Sequence, residues 1–152
     1  MPPATPHALD NTIRWLGYAG LLPFVLLAAL TWLPNAEWAG LIALALTAYA
    51  ATIVSFLGGI HWGVGLLRAE DQRRFHIFWG VTPSLLAWIA LMLHVQAALG
   101  MLALLLLACY AVDRKTYPAA GLARWLGMRL QLTAVATLSC LAGAVAIAIA
   151  YR

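Results

Sequence analysis

The chain has 152 residues, of which 64% are hydrophobic and only 9% charged, and its mean hydropathy is +0.90. Soluble domains carry about 25% charged residues, so a water-soluble globule is excluded: it would have no interior large enough for this apolar surface. The net charge of +4 does not point to nucleic acid, because the nine Lys and Arg residues are spread through short polar segments rather than gathered on one face.

Residues 1–12, polar and Pro-rich, read as a flexible tail, followed by one domain, 13–152. The first apolar run, 13–33, has the ~20 residues needed to cross a ~30 Å hydrocarbon core. It exceeds a signal-peptide core and is not followed by a small-residue cleavage site, so it is expected to be retained. Pro23 predicts a kink in it. The second run, 38–67, would span ~45 Å as one helix, which predicts a tilt, a protrusion or a break, with Gly58-Gly59 the weak point. A third helix is expected over 75–93, kinked at Pro83, a short fourth over 97–112 and a fifth over 128–151.

The expectation is therefore an all-α membrane protein, a bundle of five transmembrane helices. With five crossings, Arg14, Arg68, Arg73, Arg74, Arg114, Lys115, Arg124 and Arg129 share one side, against Arg152 alone on the other. The positive-inside rule then places the N-terminus inside and the C-terminus outside.

The stretch Tyr49 to Gly65 resists reading as filler. Ala51, Ser55, Gly59 and Gly63 recur every four residues and line one helix face, as small residues do where helices approach closely in lipid. Helix five carries a similar stripe, Ala136, Cys140, Ala144 and Ala148. His61 points away from the first stripe and sits near the inner interface. An ionisable residue at that depth is a functional-site hypothesis by default; the structural alternative is a neutral imidazole bonded to a backbone carbonyl or water.

Haem ligation by His61 is a weak option, since His94 belongs to the opposite side and His76 begins its helix beside Arg73 and Arg74. Cys109 and Cys140 lack metal-ligand spacing and read as apolar fillers. Asp10, Glu37, Glu70, Asp71 and Asp113 all fall in tails, loops or helix boundaries, which argues against a proton-coupled transporter. No catalytic constellation appears, and Ser55 and Ser139 lack a nearby base. Arg114, Lys115, Arg124 and Arg129 form a basic inner rim suited to anionic lipid headgroups.

The segments LGYAGLLPF (Leu16 to Phe24), SFLGGIHWG (Ser55 to Gly63) and TPSLLAW (Thr82 to Trp88), with a weaker match at Trp125, Arg129, Leu130 and Thr133, resemble the family called domain of unknown function 3429, the transmembrane-protein-69-like proteins. The resemblance covers nearly the whole chain and implies a multi-pass protein of the bacterial inner membrane or the mitochondrial inner membrane. It implies no activity. It directs attention to Ser55, Gly58, Gly59, His61, Trp62 and Gly63 as a candidate motif, with Pro83, Trp88 and Arg129 as neighbours.

Three readings follow. The first is a non-enzymatic bundle that binds membrane lipids or assembles with a partner membrane subunit or another copy of itself. The second is a small-molecule carrier or pore lined by a broken second helix and His61. The third is a quinone- or haem-linked redox protein. No cofactor is specified by the residues themselves.

Overall fold

The computed structural model of the protein describes residues 6–33, 36–68 and 70–150. Residues 1–5 of the expected tail, the connection at 34–35 and the outer-side Arg152 lie outside the described residues, as do the side chains of Glu37, Glu70 and Asp71. Most of the rest is helical: α1 (Pro6–Ala19), α2 (Leu21–Leu30), α3 (Ala36–Leu66), α4 (Glu70–Leu91), α5 (Val95–Thr116) and α6 (Leu126–Ala150), with a 3-10 turn at Ala123–Trp125. Among the described residues, four stretches are long and apolar enough to cross a membrane: Asp10–Leu30, Trp38–Leu66, Val95–Thr116 and Ala123–Ala150. The third expected crossing, now α4, is not among these four.

The first expected span is two helices, and part of the expected tail, from Pro6, belongs to α1. Pro23 has no N–H for the Ala19 carbonyl, and the chain breaks one turn earlier, at Gly20. Tyr49 on α3 secures the break: its hydroxyl donates to the Gly20 carbonyl at 2.7 Å, and the edge-on contact with Phe24 puts their ring centroids 5.0 Å apart.

The expected break at Gly58-Gly59 is absent: α3 runs on through both glycines for 31 residues. Gly58 is small for a packing reason. A Cβ there would collide with the Gly80 carbonyl oxygen, and a Cβ at Gly80 would lie 3.0 Å from the Trp62 backbone nitrogen. Paired glycines thus let α3 and α4 touch backbone to backbone. A Cβ at Gly59 or Gly63 would meet nothing within 4 Å, and both residues are exposed. The four-residue stripe fails as an internal contact because each step advances ~400° and drifts ~40° off the face. Ala51 is buried, Ser55 half-buried and the two glycines face outward. The stripe on α6 drifts likewise, with Ala136 and Cys140 buried but Ala144 and Ala148 only partly so.

The core lies where α3, α5 and α6 meet, around Leu46, Leu99, Leu102, Leu106, Cys109 and Cys140. Both cysteines are free thiols in that core. Gly143 lets α6 close on it, since a Cβ there would come within 2.7 Å of Leu46 Cδ2.

The helix expected over 97–112 runs instead to Thr116. The extra turn brings Asp113, Arg114 and Lys115 into the helix and shortens the connection to α6. This end of the bundle is tied by polar contacts. Arg68 donates to the Ala119 carbonyl, Arg124 pairs with Asp10 at 3.2 Å, and the Tyr18 hydroxyl donates to Gln131 Oε1 at 2.5 Å.

Candidate functional site

At the basic end, four helices each contribute one polar side chain to a buried hydrogen-bonded chain. His61 of α3 and His76 of α4 place their Nδ1 atoms 3.0 Å apart, their rings stacked at a centroid distance of 5.2 Å. His61 Nε2 lies 2.9 Å from Oδ1 of Asp113 on α5. Arg129 of α6 donates from Nε and Nη2 to Asp113 Oδ2, at 2.8 and 2.6 Å. His61 and Asp113 are each 1% exposed, His76 7% and Arg129 8%.

The donors and acceptors of this chain form one consistent set. A carboxylate paired with arginine only accepts, so His61 Nε2 carries a proton and donates it to Asp113. In a neutral His61, Nδ1 is then the acceptor, and His76 Nδ1–H donates to it. The Arg129 and Asp113 charges cancel, so the cluster is buried without net charge, the condition under which buried ions are tolerated. Both nitrogens of His61 are engaged, which leaves none for a haem iron.

The local sequence explains how each side chain arrives there. His61 lies one turn beyond buried Leu57, while Trp62, about 100° further round the helix, is 43% exposed. Gly65, one turn on, keeps the helices close: a Cβ there would sit 3.1 Å from His76 Cβ. Tyr117, immediately after α5, sits beside the cluster with its ring tilted 39° to that of His61 and the centroids 6.2 Å apart. Burial, and next the negative charge of Asp113, push its hydroxyl up to about 12.

Beside the cluster opens an apolar cleft of ≈ 470 Å³ between α1–α2, α3 and α6. Leu16, Leu21, Phe24, Ile53, Leu57 and Leu132 form much of its wall. Its polar lining comes from Tyr117, Arg129 and Thr133. The Thr133 hydroxyl is buried without a hydrogen-bond partner, as are Thr137 Oγ1 and Trp79 Nε1.

A profile of the family described as protein of unknown function (DUF3429) matches residues 9–145, a span that contains the cleft lining and the whole His–His–Asp–Arg chain. The chain belongs to the DUF3429 family. It is also similar to transmembrane protein 69 of Xenopus tropicalis, 36% identical over 80 residues. That match covers 51% of this chain and 31% of the relative, so the segment that this DUF3429 protein shares with it spans about a third of the relative's length. No solved structure matches it.

Of the six motif residues in this DUF3429 chain, Gly58 and His61 face inward, Ser55 is half-buried, and Gly59, Trp62 and Gly63 face outward. Among the neighbours, Arg129 reaches the cluster through Asp113. Pro83 is buried beside Gly58, its Cδ 3.4 Å from a Cβ built there. Trp88, further along α4 from His76, is 61% exposed. The basic rim keeps Arg114, Lys115 and Arg124, all exposed, with Arg124 stacked 4.9 Å over Trp125. Arg129 leaves that rim because its guanidinium is committed to Asp113. Asp113 itself corrects the reading that every acid sits in a tail, loop or boundary.

Proposed function

We propose that this DUF3429 protein is a non-enzymatic bundle of five membrane crossings that holds a lipid in its side cleft. The observation that carries this reading is the cleft itself. It is apolar along its length, polar at Arg129, Tyr117 and Thr133, and of a volume within the ~300–1,000 Å³ usual for small-molecule sites. The five crossings rest on α4, whose 22 residues would reach ~33 Å alongside α3. The clustering of basic residues at the end holding Arg68, Arg114 and Arg124 supports an inside N-terminus in a bacterial inner membrane. The clamp between His61, His76, Asp113 and Arg129 ties α3 and α6, two walls of the cleft, to α4 and α5.

The test is native mass spectrometry of protein extracted gently from its own membranes. Wild type and Leu104→Trp, on an exposed face of α5, should carry bound lipid, whereas Leu132→Trp, which fills the cleft, should not. Equal lipid on all three would remove the cleft from consideration.

A second reading, a proton-coupled carrier, draws on the hydrogen-bonded run His76–His61–Asp113, along which a proton can shift from ring to ring. Its test is solute-driven proton uptake in reconstituted vesicles, expected to vanish in His61→Ala. Uptake equal to wild type would dismiss it.

A further inference from the structure

We propose that the occupant of the cleft is a neutral lipid whose head presents carbonyl oxygen that accepts hydrogen bonds from Thr133 and Arg129; this rests on the reading of the cleft as a lipid site. The first observation is the Thr133 hydroxyl. Thr47, Thr52, Thr82 and Thr116 each donate to the backbone carbonyl four residues earlier, at 2.8 to 3.0 Å. Thr133 has the same option on Arg129 and does not use it: its Oγ1 is unpartnered in a residue 2% exposed, on the cleft wall. A buried donor with its local acceptor declined is available to a ligand.

The second observation is the charge at that wall. Arg129 has five N–H groups in all, of which Nε–H and one on Nη2 serve Asp113. Tyr117 shares a further hydrogen bond with Arg129; the N–H groups left over can still donate, but the positive charge is already matched by the Asp113 carboxylate. A carboxylate or phosphate head would therefore bring an unmatched charge into an apolar site, which is costly. A carbonyl accepts the same N–H and O–H groups with no net charge. Arg129 and Thr133 are four residues apart, ~6 Å along α6 and on one face, so two acceptors in succession along the head can be served together. The apolar walls at Leu57, Phe24 and Ala136 then receive the tail.

Carbonyl heads of this kind occur in diacylglycerols, as esters, and in isoprenoid quinones. Purified protein in detergent would be titrated with dioleoylglycerol, a short-chain isoprenoid quinone, oleate and squalene, with bound fractions read by native mass spectrometry. The expectation is that a carbonyl-headed probe binds in preference to oleate. Thr133→Val should weaken it about five- to tenfold, the loss of one hydrogen bond, leave squalene unchanged, and be rescued by Thr133→Ser. Diacylglycerol alone would assign an ester head, and the quinone alone a ring carbonyl. Tighter binding of oleate, or a Thr133→Val protein that binds the carbonyl probes as wild type does, overturns the inference while the lipid reading stands. Failure of all four probes to bind overturns the lipid reading as well.

Discussion

Asp113 and Arg129 meet through a single oxygen: Oδ2 accepts both Nε and Nη2 of the guanidinium, and Oδ1 is left for the His61 imidazole. Each carboxylate oxygen thus closes a contact to a different helix, joining α5 to α6 on one side and to α3 on the other. Removing one partner of a buried pair strands the other charge, at a cost of about 3–5 kcal/mol. Asp113→Asn and Arg129→Leu are each expected to lose stability on that scale in detergent unfolding. The double variant should lose less than the sum, because neither charge is stranded. Additive losses would show that the pair is not the clamp.

The contact between Gly58 and Gly80 makes a sharper test because neighbouring glycines differ. Gly58→Ala forces a methyl onto backbone, which cannot swing aside as a side chain can, and overpacking of this kind costs about 1–3 kcal/mol. Gly59→Ala, with nothing within 4 Å, should be neutral or stabilising by up to about 1 kcal/mol through helix propensity. Thermal unfolding of the two single variants decides it. Equal effects would mean that α3 and α4 do not meet at Gly58.

The cluster was legible in the sequence, though in a different periodicity from the one that draws the eye. Leu99, Leu102, Leu106, Cys109 and Asp113 alternate steps of three and four along α5, and all are buried. Arg129, Thr133, Ala136, Cys140, Gly143 and Ile147 do so along α6, and His76, Gly80, Pro83, Ala87 and Ala90 along α4. That spacing is the seam of left-handed helix packing. Read along it, Asp113, Arg129 and His76 continue buried stripes and cannot be rim charges. The adjoining Arg114 and Lys115 made Asp113 look like a boundary, and the four-residue glycine stripe pointed outward instead. The apolar runs were plain, because hydropathy over some twenty residues dominates every other signal, although α5 continues past its run to Thr116. The break at Gly20 was not, since it needs the Tyr49 hydroxyl from another helix.

That hydroxyl carries its own consequence. Tyr49→Phe keeps the ring against Phe24 but takes away the donor to the Gly20 carbonyl, worth about 1 kcal/mol net. Amide exchange around residues 16–21 should quicken by roughly fivefold, with little change in α5 and α6. Unchanged exchange at the break would mean that Pro23 and Gly20 hold it unaided.

Tyr117 offers a titration outside the membrane-spanning segments. Its hydroxyl is raised to about 12 by burial first and by the Asp113 charge second. A raised folded value means that the neutral phenol contributes stability fully below the ordinary tyrosine range near 10. That contribution is lost as pH rises from there through about 12. Tyrosinate absorbance, with Tyr117→Phe as the subtraction, isolates the group. Asp113→Asn should bring its titration down only part of the way, because the larger cause, burial, remains. A return to the free tyrosine range in that variant would make the carboxylate the main cause. A Tyr117 that titrates near 10 in the wild type would place the ring in water, away from the His61 cluster and the cleft wall.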